Sequence, residues 1–205
     1  MRHAIKICGF TTVESIKQMA AFDIDAIGLV FAESIRQVEL RDAERLFAAI
    51  PEHILPIAVF RMPTDEQVRQ VFEAGARALQ VRASWTGHQP EGLRKLPYFS
   101  DGPNLVERFQ AWTPSDPPSE SWPAVALLDG PKPGTGETAN LGRSRTAARL
   151  HPIALAGGLT PHNVAMAISY VKPVAVDVSS GVESSPGVKN PDLIRAFVKA
   201  VRHPY

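Results

Sequence analysis

Short apolar runs alternate with helix-patterned stretches along most of the chain, and this alternation constrains the fold more than any other feature. Ala4-Ile-Lys-Ile-Cys8 reads as a strand closed by Gly9. A helix follows, with apolar positions Val13, Ile16, Met19 and Ala20 at helical spacing and Thr11 or Thr12 as its cap. Residues 26–31, Ala-Ile-Gly-Leu-Val-Phe, form a nearly unbroken apolar run, the pattern of a parallel strand buried on both faces. A polar loop over 32–39 leads to a helix over 41–50, a strand over 54–60, a helix over 65–74 capped by Thr64, and a fourth strand over 78–81. The middle reads as a helix over 87–96, a strand over 97–100, a helix over 104–112 and a Pro/Ser/Asp-rich loop over 113–123. Strand 124–129, loop 130–138, helix 143–150, strand 153–156, helix 161–170, strand 174–178 and helix 191–201, capped by Asn190, complete the pattern. Eight strands with short connections imply parallel pairing and right-handed crossovers.

At 205 residues the chain suits one domain spanning 1–205, at the short end for a barrel of eight βα units. The apolar fraction of 44% and charged fraction of 21% are those of a soluble globular protein. A net charge of +1 does not advertise nucleic acid or an anionic membrane surface as a partner. The first eight residues contain no signal-peptide core, and no apolar run reaches transmembrane length. A single cysteine excludes an internal disulfide and a multi-Cys metal site, and the expected location is a reducing cytoplasm.

Two glycine- and serine-rich loops stand out. Leu155-Ala-Gly-Gly-Leu-Thr-Pro-His-Asn163 and Val176-Asp-Val-Ser-Ser-Gly-Val-Glu-Ser-Ser-Pro-Gly187 are short apolar runs that end abruptly in small residues. Gly157 and Gly158 allow close backbone approach, and Ser179, Ser180 and Gly181 can form an anion-binding nest. About twenty residues apart with a helix between them, the two loops resemble the phosphate site after strands 7 and 8 of a (β/α)8 TIM barrel. Active sites of such barrels form at the C-terminal strand ends. Here those ends carry Cys8, Asp129 and Asp177, with Arg36 and Arg82 just beyond the second and fourth strands. Each has an ordinary structural alternative: a lone cysteine in an apolar strand is most often buried and inert, the carboxylates can cap or pair, and the arginines can be solvated.

Lys6-Ile-Cys-Gly-Phe-Thr11, Gly28-Leu-Val-Phe31, Leu127-Leu-Asp129 with Gly134-Thr-Gly136, Ala156-Gly-Gly-Leu-Thr-Pro161 and the Val176 to Gly187 motif together resemble phosphoribosylanthranilate isomerase, in order from one end of the chain to the other. The resemblance implies a (β/α)8 barrel of tryptophan biosynthesis that needs no cofactor or metal. Its substrate is a small-molecule phosphosugar, and the chain is expected to work as a monomer or homodimer. The implied reaction is an Amadori rearrangement, with Asp129 as general acid and Cys8 as general base. The Gly157-Gly158 and Ser179-Ser180-Gly181 loops would hold the phosphate, Asp177 the substrate nearby, and Arg36 the anthranilate carboxylate through its guanidinium fork. For this chemistry the aspartate needs a raised pKa and the thiol a lowered one.

Three departures from the family pattern fall on the anthranilate side. Ile35-Arg36-Gln37 replaces Pro-Arg-Tyr, Arg82 stands where a histidine is expected, and Ala139-Asn-Leu141 replaces Phe-Asp-Trp. They fit a divergent isomerase in which Arg82 binds the substrate by supplying the cation, and they leave two other readings open: an isomerase of another N-linked aminoaldose phosphate, of the kind found in histidine biosynthesis, and a catalytically silent phosphate-ligand binding protein.

Overall fold

Runs such as Ala4-Ile-Lys-Ile-Cys8, apolar on both faces, can pair only where both faces are covered, and a barrel ringed by helices covers both. The computed structural model describes residues 2–19, 21–100, 125–131 and 136–203. Strands β1 (Ala4–Cys8), β2 (Ala26–Val30), β3 (Leu55–Val59), β4 (Ala78–Arg82), β5 (Arg94–Ser100), β6 (Ala126–Asp129), β7 (Ile153–Leu155) and β8 (Ala175–Val178) form a closed barrel. All pairs are parallel, and Lys6 lies opposite Ala26 on one side and Asp177 on the other, so β8 closes back onto β1. The described helices are α1 (Val13–Met19), α2 (Ala43–Phe47), α3 (Asp65–Glu73), α4 (Leu141–Ala148), α5 (Val164–Val171) and α6 (Pro191–Arg202). None is long and apolar enough to cross a membrane.

The period-2 alternation of each strand divides the apolar residues into two cores. Ile5, Ile7, Ile27 and Leu29 pack outward against helix residues such as Ile16, Leu46, Val68, Ile194 and Phe197. The inner core is built from Ala4, Ala26, Ala78, Ala154 and Ala175 together with Ile57, Leu96 and Leu127. Many of these inner residues are alanines.

Local chemistry sets most helix starts where the sequence suggests. Thr64 and Gln67 form a reciprocal capping box on α3. Thr12 accepts a hydrogen bond from the Ser15 N–H, and Asn190 accepts from Asp192 and Leu193 with Pro191 at the first position of α6. Asn140 accepts from the Arg143 N–H, which starts α4 two residues earlier than the apolar pattern indicates. The helix expected over 41–50 divides into a 3-10 turn, Leu40–Asp42, and α2. The helix expected from Pro161 begins at Val164, because Asn163 ties down the preceding turn through the Thr160 N–H and the Gly158 carbonyl.

The helix expected over 87–96 is absent. The β4–β5 connection is irregular and β5 already begins at Arg94. Buried Trp85 seals the wall there, its indole N–H donating to the Pro63 carbonyl and Lys95 reaching the Trp85 carbonyl. Pro90 and two glycines give this stretch little helix-forming tendency. The helix and loop expected over 104–123 lie outside the described residues. After β8, a 3-10 turn (Ser180–Val182) leads into an antiparallel hairpin, β9 (Glu183–Ser185) and β10 (Val188–Lys189), where the Gly/Ser-rich composition indicates a loop.

At the N-terminal end of the barrel, buried Asp25 joins three parts of the chain. Its carboxylate accepts from the Ile5 N–H at 2.8 Å and from Arg202 of α6 at 3.0 Å, and it pairs with Arg2 at 2.6 Å. Asp25→Ala removes the acceptor of a buried N–H and of a charged donor, and is expected to lower the unfolding free energy by about 2–3 kcal/mol. Asp25→Asn, which keeps an acceptor, is expected to cost about half as much; urea denaturation of both variants checks the order.

Candidate active site

Strand alternation brings polar side chains to the C-terminal mouth of the barrel. Cys8, Gln80, Tyr98, Asp129 and Asp177, all from strands, line a cavity of about 380 Å³ that also meets the loops after β2, β3, β7 and β8. The mouth is therefore polar and reactive, while the inner core below it is apolar.

On the β7–β8 side, Gly157 and Gly158 both have left-handed backbone, with φ of 84° and 64°. A Cβ at Gly157 would lie 2.5 Å from the Gly130 nitrogen, and one at Gly158 would lie 2.6 Å from the Thr138 hydroxyl, so the loop tolerates only glycine at both positions. Ser179 and Ser180 line the same end of the cavity. The Ser179 hydroxyl donates to the Cys8 carbonyl at 2.9 Å, whereas the Ser180 hydroxyl has no partner among the described residues. Gly181 packs against the Leu159 carbonyl and is not part of the cavity wall.

Asp129, at the end of β6, accepts from the Gly130 N–H at 2.7 Å. Burial pushes its carboxyl up to about 6; the charge of Asp177 adds to this, and the Gly130 hydrogen bond and Lys6 partly oppose it. Cys8 is buried on β1. The thiol lies above its ordinary value, opposite to the lowered value expected from the sequence, because burial outweighs the pull of Lys6 and Lys189 and Asp177 adds to the rise. Asp177 is held by Lys6 at 2.8 Å through one oxygen. Its other oxygen, and the side-chain oxygen of Gln80, are buried without a partner among the described residues, and both residues line the cavity.

Arg36 lines the cavity but is not a loose cation. Its guanidinium forks onto Glu183, Nε and Nη2 each at 2.7 Å from a carboxylate oxygen. Glu183 also receives Lys189 at 2.6 Å and the Gly187 N–H at 3.1 Å. Burial alone would raise this carboxyl, yet the Arg36 and Lys189 contacts hold it down to about 2. Arg82 is exposed and outside the cavity wall; its Nε donates to the Tyr98 hydroxyl at 3.2 Å, and Tyr98 is the residue that meets the cavity. Lys6, Glu183 and Lys189, which hold the lining residues Asp177, Arg36 and Ser179, are not among the candidates the sequence offers. A lysine in the middle of Ala-Ile-Lys-Ile was the available signal for the first; the other two depend on the β9–β10 hairpin. Among the described residues no group of His, Cys, Asp and Glu is placed to hold a metal ion.

Residues 110–200 match the family model described as N-(5'-phosphoribosyl)anthranilate isomerase. The N-(5'-phosphoribosyl)anthranilate isomerase of Pseudomonas aeruginosa strain UCBPP-PA14 is 36% identical, the match covering 97% of this chain and 94% of that protein. The chain belongs to the phosphoribosylanthranilate isomerase family. The isomerase of this family from Thermotoga maritima superposes with a TM-score of 0.82 at 29% identity over 98% of both chains. Another family member, solved in complex with reduced 1-(o-carboxyphenylamino)-1-deoxyribulose 5-phosphate, has a TM-score of 0.77 at 27% identity, again over 98% of both chains.

The raised Asp129 carboxyl carries a stability signature. The folded state holds this proton more tightly than the unfolded chain, so stability falls as pH rises from about 3.8 to about 6. Asp129→Asn removes the ionised form and is expected to stabilise the protein at pH 7 by on the order of 1–3 kcal/mol while flattening that slope. Thermal unfolding at pH 4.5 and pH 7 measures both effects.

Proposed function

We propose that the chain isomerises N-(5'-phosphoribosyl)anthranilate to 1-(2-carboxyphenylamino)-1-deoxyribulose 5-phosphate, an intramolecular ketose–aldose isomerisation of tryptophan biosynthesis. The observation that carries this reading is a carboxyl raised to about 6 and a thiol facing one cavity from β6 and β1, in a chain of the isomerase family. The product analogue bound to a relative of the same fold supports the ligand class. The family relationship favours neither an isomerase of another aminoaldose phosphate nor a silent binding protein.

In the proposed reaction the 5-phosphate sits against Gly157, Gly158, Ser179, Ser180 and the turn continued by Gly181. Asp129, protonated, donates to the ring oxygen; the C1–O bond opens and leaves an iminium between C1 and the anthranilate nitrogen. The Cys8 thiolate then removes the C2 proton, giving an enolamine that takes up a proton at C1 as its C2 hydroxyl becomes the ketone. The acid and base stand three strands apart around the barrel, with Asp177 between them on β8. The oxygens of Asp177 and Gln80 that have no partner among the described residues accept from hydroxyl or amine protons of the substrate. Arg36, kept in place by Glu183, meets the anthranilate carboxylate, and Arg82 acts on that end only through Tyr98. The chain works as a monomer or a homodimer in this reading, and a free buried thiol fits a reducing cytoplasm.

The fluorescence of phosphoribosylanthranilate gives the assay. Cys8→Ala and Asp129→Asn are each expected to lower kcat by about 10²–10⁴-fold with the circular dichroism spectrum unchanged; near-full rates in both would overturn the assignment. Arg82→Ala is expected to raise KM a few-fold, on the order of 1 kcal/mol of binding, with kcat nearly unchanged. A loss of kcat comparable to that of Asp129→Asn would instead put Arg82 in direct contact with the reacting atoms.

A further inference from the structure

Lys6 is completely buried inside the barrel, and neither the acid–base chemistry nor the phosphate grip accounts for it. Taking an ammonium out of water is costly, and an apolar residue there would pack beside the surrounding alanines without that cost. Its surroundings are specific. Nζ donates to one Asp177 oxygen at 2.8 Å. The lysine tip and the Cys8 sulfur converge over Gly28: a Cβ at that position would lie 2.9 Å from Sγ, 3.1 Å from Lys6 Cε and 3.3 Å from Nζ. The glycine on β2 is what lets the two side chains meet.

We infer that Lys6 is a positioning residue for the reaction: its ammonium, seated between the Asp177 carboxylate and the Cys8 sulfur, supplies the positive charge that lets Cys8 give up its proton and holds Asp177 with its second oxygen toward the substrate. The inference rests on Cys8 acting as the base. An ammonium has three donors, so it can serve both partners at once. The charges facing Cys8 come from several elements. Lys6 on β1 and Lys189 on β10 favour the thiolate, Asp177 on β8 opposes it, and Arg36 after β2 lies close enough to interact with it. Against the burial that pushes the thiol up, Lys6 is the largest opposing influence. The ammonium itself stays charged: burial disfavours it, but the charges of Asp177 and Cys8 outweigh that and raise its pKa.

Cys8 is the single cysteine of the chain, so its ionisation can be read directly from the pH dependence of iodoacetamide alkylation, independently of turnover. Lys6→Met is expected to move the thiol titration upward, leaving about tenfold less thiolate at neutral pH, and to lower kcat by a similar factor that recovers as pH rises. Lys6→Arg, which keeps the charge, is expected to restore most of the titration. Asp177→Asn is expected to move it the opposite way, and that variant decides the matter if Lys6→Met does not fold. A thiol titration unchanged in the folded Lys6→Met protein, or unchanged or raised in Asp177→Asn, would overturn the inference. Full turnover in Cys8→Ala would overturn the role of Cys8 as base while leaving the measured titrations intact, so the two failures are distinguishable.

Discussion

Closing eight parallel strands into a ring leaves alternate side chains with nowhere to point except the barrel axis. Everything else in the molecule follows from how that axis is filled. Toward the N-terminal end the space is taken by alanines with a few larger aliphatic residues. Toward the other end the same alternation delivers Cys8, Gln80, Tyr98, Asp129 and Asp177 to a shared cavity. These five groups stand on strands held by the barrel's hydrogen-bonded ladder, and loops complete the rim of the cavity.

Charge is distributed in the same economical way. Two buried cations each serve two partners: Lys6 lies between Asp177 and Cys8, and Lys189 reaches both Glu183 and the Ser179 loop. Glu183 in turn fixes the Arg36 fork. Isolated, each of these groups would be costly to bury; linked, each satisfies the next. The β9–β10 hairpin is short and offers little apolar area of its own, so its position depends on this charged cluster as much as on packing.

Much of this was legible from residue patterns. The strands read as apolar runs because parallel strands are covered on both faces, and Thr64 and Asn190 announce their helices through cap chemistry alone. The two loops after β7 and β8 declared themselves by composition, and Cys8 and Asp129 by their places at strand ends. The region after β4 was misread because Trp85, a single buried side chain, does the covering work assigned to a helix, and periodicity cannot register a substitution of that kind. Counting along β4 places Arg82 at the mouth, whereas the register opposite Tyr98 on the neighbouring strand leaves its Nε on the Tyr98 hydroxyl and the arginine outside the cavity wall. Glu183 and Lys189 depend on contacts between segments distant in sequence, which no local pattern encodes.

The hydrogen bond from the Ser179 hydroxyl to the Cys8 carbonyl, 171 positions apart in sequence, has a mechanical meaning. It fastens the end of the first strand to the loop after β8, and Lys189 donates to the same serine hydroxyl. The turn proposed to hold the phosphate and the backbone that carries the sulfur are thus joined through one hydroxyl. In the proposed reaction the phosphate grip and the thiol are therefore one hydrogen-bonded unit rather than two separate features of the mouth.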